Sequence, residues 1–190
     1  MGACLLSPLA WSAQPYVTEV GRYAMSVNIL WVAPHRAHVV AHTTIPASRE
    51  RVWAVTSDYE HLAEFIPLMD SSKVVRREGG QLLLFQQGSI RLPFYHRTFR
   101  VTFRVQEKPF QRIGFEAIAG DFRIHKGSWR LQAVAGGTRL LYETTLEPAF
   151  SMPRWVMVQL ERWLLKATFR AIIDRCLEEV PASQTSARRN

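Results

Sequence analysis

From Lys73 to Leu146 the chain alternates apolar and polar residues with a period of two, in runs broken by glycine-containing turns. Arg97 to Gln106 alternates most cleanly. Phe99, Val101, Phe103 and Val105 share one face, and Thr98, Arg100, Thr102, Arg104 and Gln106 the other. This is the pattern of an antiparallel strand with one face buried. The same rule predicts strands over Lys73–Arg77, Gln81–Arg91, Gln111–Ile118, Phe122–Val134 and Thr138–Leu146, joined at Gly79-Gly80, Gly120-Asp121 and Gly136-Gly137. Ahead of this meander, Tyr23–Val32 and Arg36–Ile45 predict a hairpin around Ala33-Pro34-His35. Two short helices are predicted between hairpin and meander. Ser48 caps the first, Val52, Trp53 and Val55 form its buried side, and Arg51 stands where a capping box would have Glu. Ser57-Asp58 break it, and Tyr59–Phe65 forms the second, closed by Pro67.

The period then changes to 3.6 over Ser151–Val180, the longest periodic run in the chain. Ser151 is suited to cap its start, Pro153 to sit in its first turn, and Pro181 to end it. Met157, Leu160, Leu164, Leu165, Thr168, Phe169, Ala171, Ile172 and Cys176 fall on one broad face. Arg162, Lys166 and Arg170 lie opposite, among Trp155, Trp163, Ile173 and Leu177. Strands followed by a long amphipathic helix predict an α+β domain in which the helix covers the apolar face of the sheet.

Composition narrows the function classes. With 190 residues, 47% hydrophobic and 21% charged, one globular domain is expected. A net charge of +8 fits an acidic partner such as anionic lipid, but no basic block beyond Arg188-Arg189 favours nucleic acid. No run of 18 apolar residues is present. The two cysteines, Cys4 and Cys176, have no metal-site spacing, and Cys176 reads as a small core residue. His38 and His42 are ~13 Å apart on a strand, too far to share a metal. No metal, cofactor, phosphate loop or His/Asp/Ser constellation is expected. Residues 1–14 resemble the end of a secretory leader, with Ala10-Trp11-Ser12 as the cleavage-site pattern, which would place the protein in the periplasm or outside the cell; without it the cytoplasm is expected. Residues 15–35 are read as an N-terminal strand or arm, 36–181 as the main domain and 182–190 as a polar tail.

The order of strand, two short helices, meander and long helix is that of the helix-grip fold. Ile45-Pro46-Ala47-Ser48, Arg51-Val52-Trp53-Ala54-Val55, Ser57-Asp58-Tyr59-Glu60 and Leu62-Ala63-Glu64-Phe65-Ile66-Pro67 resemble the opening of the polyketide cyclase/dehydrase family of the START-like superfamily, which includes the coenzyme Q-binding proteins. Gly120-Asp121-Phe122, Gly127-Ser128-Trp129-Arg130-Leu131 and Gly137-Thr138-Arg139-Leu140-Leu141-Tyr142 are similar to its later strands. The resemblance implies an apolar cavity between a curved sheet and the last helix, holding a lipid, quinone or polyketide-like molecule. It implies binding or transfer more strongly than catalysis.

By alternation, Phe103, Phe115, Trp129, Leu131, Leu140, Tyr142, Leu164, Leu165 and Phe169 face inward. They are either solid core or the wall of that cavity, and the resemblance favours the wall. A cyclase would need a positioned acid, base or donor. Tyr142, His96, His125, Arg130 and Glu116 are the candidates; Tyr142 shares the inward parity of Leu140, whereas Glu116 opposes Phe115 and His96 falls at a loop. A second candidate surface is Trp155, Arg162, Trp163, Lys166 and Arg170, where tryptophan beside cations suits an anionic membrane. The alternative is that the N-terminal hairpin or a partner subunit covers it. Three functions follow in order: a carrier of a hydrophobic small molecule, a cyclase or dehydrase, and an adaptor acting through its basic surface.

Overall fold

A computed structural model describes residues 16–151 and 154–178, apart from the side chains of Arg154, Trp155 and Glu161. The leader-like segment, Pro153, Pro181 and the tail lie outside the described residues. Nine strands form one antiparallel sheet in the order β1-β2-β3-β9-β8-β7-β6-β5-β4. They are β1 (Tyr16–Val20), β2 (Tyr23–Ala33), β3 (Arg36–Ile45), β4 (Met69–Glu78), β5 (Gln81–Leu92), β6 (Tyr95–Lys108), β7 (Arg112–Gly120), β8 (Phe122–Val134) and β9 (Gly137–Pro148). Helix α1 (Arg49–Thr56), a 3-10 turn (Tyr59–His61) and α2 (Leu62–Phe65) connect β3 to the far edge strand β4, and α3 (Arg154–Leu177) follows the sheet. This is the helix-grip architecture.

The strand boundaries follow the period-two pattern closely. In β3 the burial alternates without a break, Ala37, Val39, Ala41, Thr43 and Ile45 being buried. Their counterparts Met25, Val27 and Ile29 on β2 are buried as well, in register through pairs such as Val27 with Ala41. The segment read as an N-terminal strand or arm supplies β1 and β2 of the sheet and part of the main core. The β4–β5 turn places Gly79 and Gly80 both at positive φ, 57° and 77°, as a two-residue hairpin turn requires.

Helix α3 packs against α1, α2, β1 and β3. Its buried face includes Met157, Leu165, Phe169, Ile172 and Cys176. Ile173, one of the outer apolar residues for which cover by the N-terminal hairpin was the alternative, is fully buried in the main core with Val20 and Met25 of the β1–β2 hairpin. The hairpin reaches around the back of the helix and widens its buried face. Burial pushes the Cys176 thiol up to about 12, against a smaller opposite pull from Arg51, which is the behaviour of an inert core cysteine.

Arg51 explains the incomplete capping box. Ser48 caps α1 as expected, its Oγ accepting from the Arg51 backbone N–H at 3.1 Å. The Arg51 side chain turns away and donates to the carbonyls of Arg175 (2.7 Å), Cys176 (3.1 Å) and Glu178 (3.2 Å). These are carbonyls at the C-terminal end of α3, which have no partner within the helix and carry the negative end of its dipole. One residue thus ties the start of α1 to the end of α3, 125 positions away. Arg51→Met is expected to lower stability by about 1–3 kcal/mol in urea denaturation, the worth of charge-assisted hydrogen bonds to partly buried acceptors. It should also speed amide exchange in the last turn of α3. Wild-type exchange there would show that the contact does not hold the helix end.

Candidate functional site

Toward the β5–β8 side of the sheet, α3 does not fill the space it covers. Two adjoining chambers of about 190 and 200 Å³ lie between α3, the α2–β4 connection and strands β5 to β9. Tyr59, Leu84, Phe115 and Trp129 line the first, and Leu68, Phe99, Phe122 and Leu164 the second. Seven residues line both: Ile66, Met69, Gln86, Phe103, His125, Tyr142 and Thr168. The sheet opens to make this space. β7 and β8 stay paired only from Arg112–Arg130 to Glu116–Lys126, and β6 and β8 carry irregularities at Thr102/Phe103 and Phe122/Ile124.

The rim on the α2–β4 side is held by close backbone packing. Leu68 adopts a positive φ of 59°, and its carbonyl accepts from Ser89 N at 3.0 Å. A Cβ on Gly88 would meet that carbonyl at 2.5 Å and the Phe99 ring at the same distance, so only glycine lets the connection lie on β5 here.

Of the inward residues, Phe103, Phe115, Trp129, Tyr142 and Leu164 line the cavity. Leu131, Leu140, Leu165 and Phe169 lie in the main packed core, at most 6% exposed. They belong to the end of the sheet where α3 and α1 sit directly on β3, β8 and β9 and leave no gap. Trp129 joins the two regions, its ring 5.5 Å from Phe169 and 4.3 Å from Tyr142.

Among the polar candidates, Glu116 and Arg130 lie on the outer face, where Arg130 pairs with Glu143 at 3.2 Å, and His96 is exposed. His125 is on the cavity wall. Its ring stands 4.8, 5.0 and 5.6 Å from those of Phe122, Phe103 and Phe115, and Nδ1 is buried without a hydrogen-bond partner. Its inward position was legible, since His125 has the parity of Trp129 and Leu131. Gln86 is likewise a polar residue at the inward parity of Leu82 and Leu84 on β5, and Thr168 a polar residue on the apolar face of α3.

Another concavity, of about 470 Å³, lies elsewhere, on the outer face of the sheet. Arg104, Arg112, Lys126, Arg130, Glu116 and Glu143 line it, a shallow and charged trough in which an apolar molecule would gain little. No group of residues suited to hold a metal occurs among the described residues.

Burial lowers the His125 pKa to about 4, so the ring is neutral at neutral pH. No acidic side chain lines either chamber to counter this. In the unfolded chain the imidazole titrates near 6.5. Between these values only the unfolded state takes up the proton. The stability is therefore full above about pH 6.5 and falls as the pH drops toward 4, by on the order of 1.4 kcal/mol per pH unit. His125→Phe should flatten this part of the profile, read as the difference between variant and wild-type urea midpoints from pH 7 to 4.5. Parallel profiles would place the acid sensitivity in other groups.

Residues 45–173 match the model of a family described as polyketide cyclase/dehydrase and lipid transport. No curated protein matches the chain. Similar solved structures include a Thermus thermophilus protein (24% identity, TM-score 0.64, 74% of this chain and 97% of that one). The Zhui aromatase/cyclase of a Streptomyces species is 16% identical, with a TM-score of 0.64 over 79% of this chain and 99% of that one. A STAR-related lipid transfer protein from Xanthomonas axonopodis is also 16% identical, with a TM-score of 0.68 over 86% of this chain and 99% of that one. At these identities the likenesses speak for the fold. With the family model matched across more than half of its length, this chain belongs to the polyketide cyclase/dehydrase and lipid transport family.

Proposed function

We propose that the protein binds and carries a hydrophobic small molecule in the two-chambered cavity between its sheet and α3. The observation that carries this reading is the cavity wall. It is built from aromatic and aliphatic side chains, including Phe103, Phe115, Trp129, Tyr142 and Leu164, and it contains no charged residue. Filling such space with an apolar molecule removes apolar surface from water and restores the dispersion contacts that the wall residues lack. Membership of a family that includes lipid transport supports it, as does the shared fold with a lipid transfer protein.

The second reading is a cyclase or dehydrase. It draws on the same family and on one local fact: a neutral imidazole and a tyrosine share the cavity wall. A neutral imidazole can accept a proton beside a substrate carbonyl, and Tyr142 is the second candidate group.

Loading from a bilayer would need a surface that meets one. We place that surface on the outer side of α3, where Trp163 is 50% exposed and Lys166 is exposed beside it. Two of its cations have protein partners: Arg162 stands over the Tyr16 ring at 5.3 Å, and Arg170 pairs with Asp174 at 2.6 Å. The hairpin thus covers part of this face and leaves Trp163 at its open part. Trp155 cannot be placed on it, because its side chain lies outside the described residues.

Native mass spectrometry of the purified protein is expected to reveal a co-purifying apolar molecule. Thr168→Phe and Met69→Phe, which place bulk at the junction of the chambers, should each lose it while keeping a cooperative thermal transition. A protein that stays empty and ignores added lipids and quinones would sink the carrier reading. In a separate measurement, Trp163→Ala should pellet less than wild type with phosphatidylglycerol-containing liposomes. Equal pelleting would remove Trp163 from membrane contact.

A further inference from the structure

The polar groups of the cavity are not scattered. Gln86, His125, Tyr142 and Thr168 all belong to the set of residues that borders both chambers. Away from this junction, Thr56, Tyr59 and Gln87 are held by partners outside the cavity. Thr56 Oγ1 donates to Val52 O at 2.9 Å, Tyr59 Oη to Glu107 Oε1 at 2.7 Å, and Gln87 Oε1 accepts from Arg100 at 3.1 Å. The cavity is therefore two apolar lobes separated by a polar waist. At the waist His125 makes no hydrogen bond among the described residues, and its Nδ1 is buried without one. Gln86 donates to Ser72 Oγ at 3.2 Å and keeps its carbonyl.

We propose that the cavity selects molecules with two apolar portions flanking a central hydroxyl or carbonyl, and that His125 is the residue that reads that oxygen. The inference rests on the carrier reading and specifies its ligand class. A neutral imidazole has one donor and one acceptor nitrogen. It can donate to a carbonyl or accept from a hydroxyl of a molecule in the chambers it borders. A ligand without a central polar atom leaves the buried nitrogen unpaired, which is the costly case. The aromatic rings around the imidazole admit no charged group, so a carboxylate or ammonium at this point is excluded by desolvation.

Three probes of matched shape test this: diphenylmethane, benzophenone and benzhydrol. Each has two phenyl rings joined at one carbon, bearing nothing, a carbonyl or a hydroxyl. Binding to the full chain is followed by tryptophan fluorescence or calorimetry. The ketone and the carbinol should bind wild type about tenfold more tightly than the hydrocarbon, the worth of one hydrogen bond at a buried group. In His125→Phe the preference should vanish, the ketone and the carbinol losing their tenfold advantage over diphenylmethane. The variant should melt no lower than wild type, since an unpaired buried polar atom is removed. Equal or tighter binding of diphenylmethane by wild type overturns the proposal and leaves the cavity reading standing. So does a preference that survives in the variant. Binding of none of the three would count against the cavity reading itself, and the proposal would fall with it. The comparison in wild type decides the matter even if the variant fails to fold.

Discussion

One helix has to cover the apolar face of nine strands. Strands about 4.8 Å apart make a sheet roughly 40 Å wide, whereas a helix with its side chains is about 10 Å across. Twist and curl bring the edges of the sheet toward the helix but cannot close the difference. The chain meets this constraint differently at its two ends. Near β1, β2 and β3, α3 is packed on several sides, by the sheet, by α1 and by the N-terminal hairpin that buries Ile173. Toward β5 and β6 the cover is shared with the α2–β4 connection, and the side chains of the wall do not meet. The cavity is what remains of a sheet too wide for its helix.

The same asymmetry divides α3 between two packed clusters. The C-terminal half contributes Phe169, Ile172, Ile173 and Cys176 to the main core, and Arg51 holds its final carbonyls. The N-terminal part packs through Val156 and Met157 in a smaller cluster with Ile90. Leu164 and Thr168 lie between the two regimes, on the wall of the cavity. Stability is not uniform along such an element, and local opening begins where buried contacts are fewest.

The strands and the sheet-facing side of α3 were largely legible because period two and period 3.6 are local properties of the chain. Parity assigned Phe103, Phe115, Trp129 and Tyr142 to the inner face without any knowledge of their neighbours. Parity cannot say whether an inward residue meets another side chain or a void. Leu131 and Phe115 read alike in sequence, yet Leu131 is packed beneath α3 and Phe115 borders the first chamber. The difference is set by how far α3 stands from each strand, which is a long-range quantity. Arg51 was hidden for the same reason, since its partners are about 125 residues away. An amphipathic pattern assumes one covered face, and at Ile173 the β1–β2 hairpin covers a second, which was the alternative the sequence left open. His125 is different. Its parity was available, but a histidine among strand residues gives no sign that three phenyl rings enclose it until the fold assembles β6, β7 and β8 around it.

That enclosed histidine is where the local and global demands of this sequence disagree. An aromatic or aliphatic residue at position 125 would complete the apolar wall and spare the native state an unpaired nitrogen. The surrounding rings make the imidazole neutral and give it no partner, so the protein supplies the environment that strengthens a hydrogen bond but not the second atom of one. Sequences that fold well are consistent across levels, and departures from that consistency concentrate where function requires them. The position of this departure matters as much as its existence. It lies at the junction of the two chambers. A hydrocarbon chain could cross that junction only by leaving the imidazole unsatisfied, whereas an oxygen-bearing centre would satisfy it. The apolar lobes can set affinity through area and shape, and the waist can set which molecules within that shape are accepted.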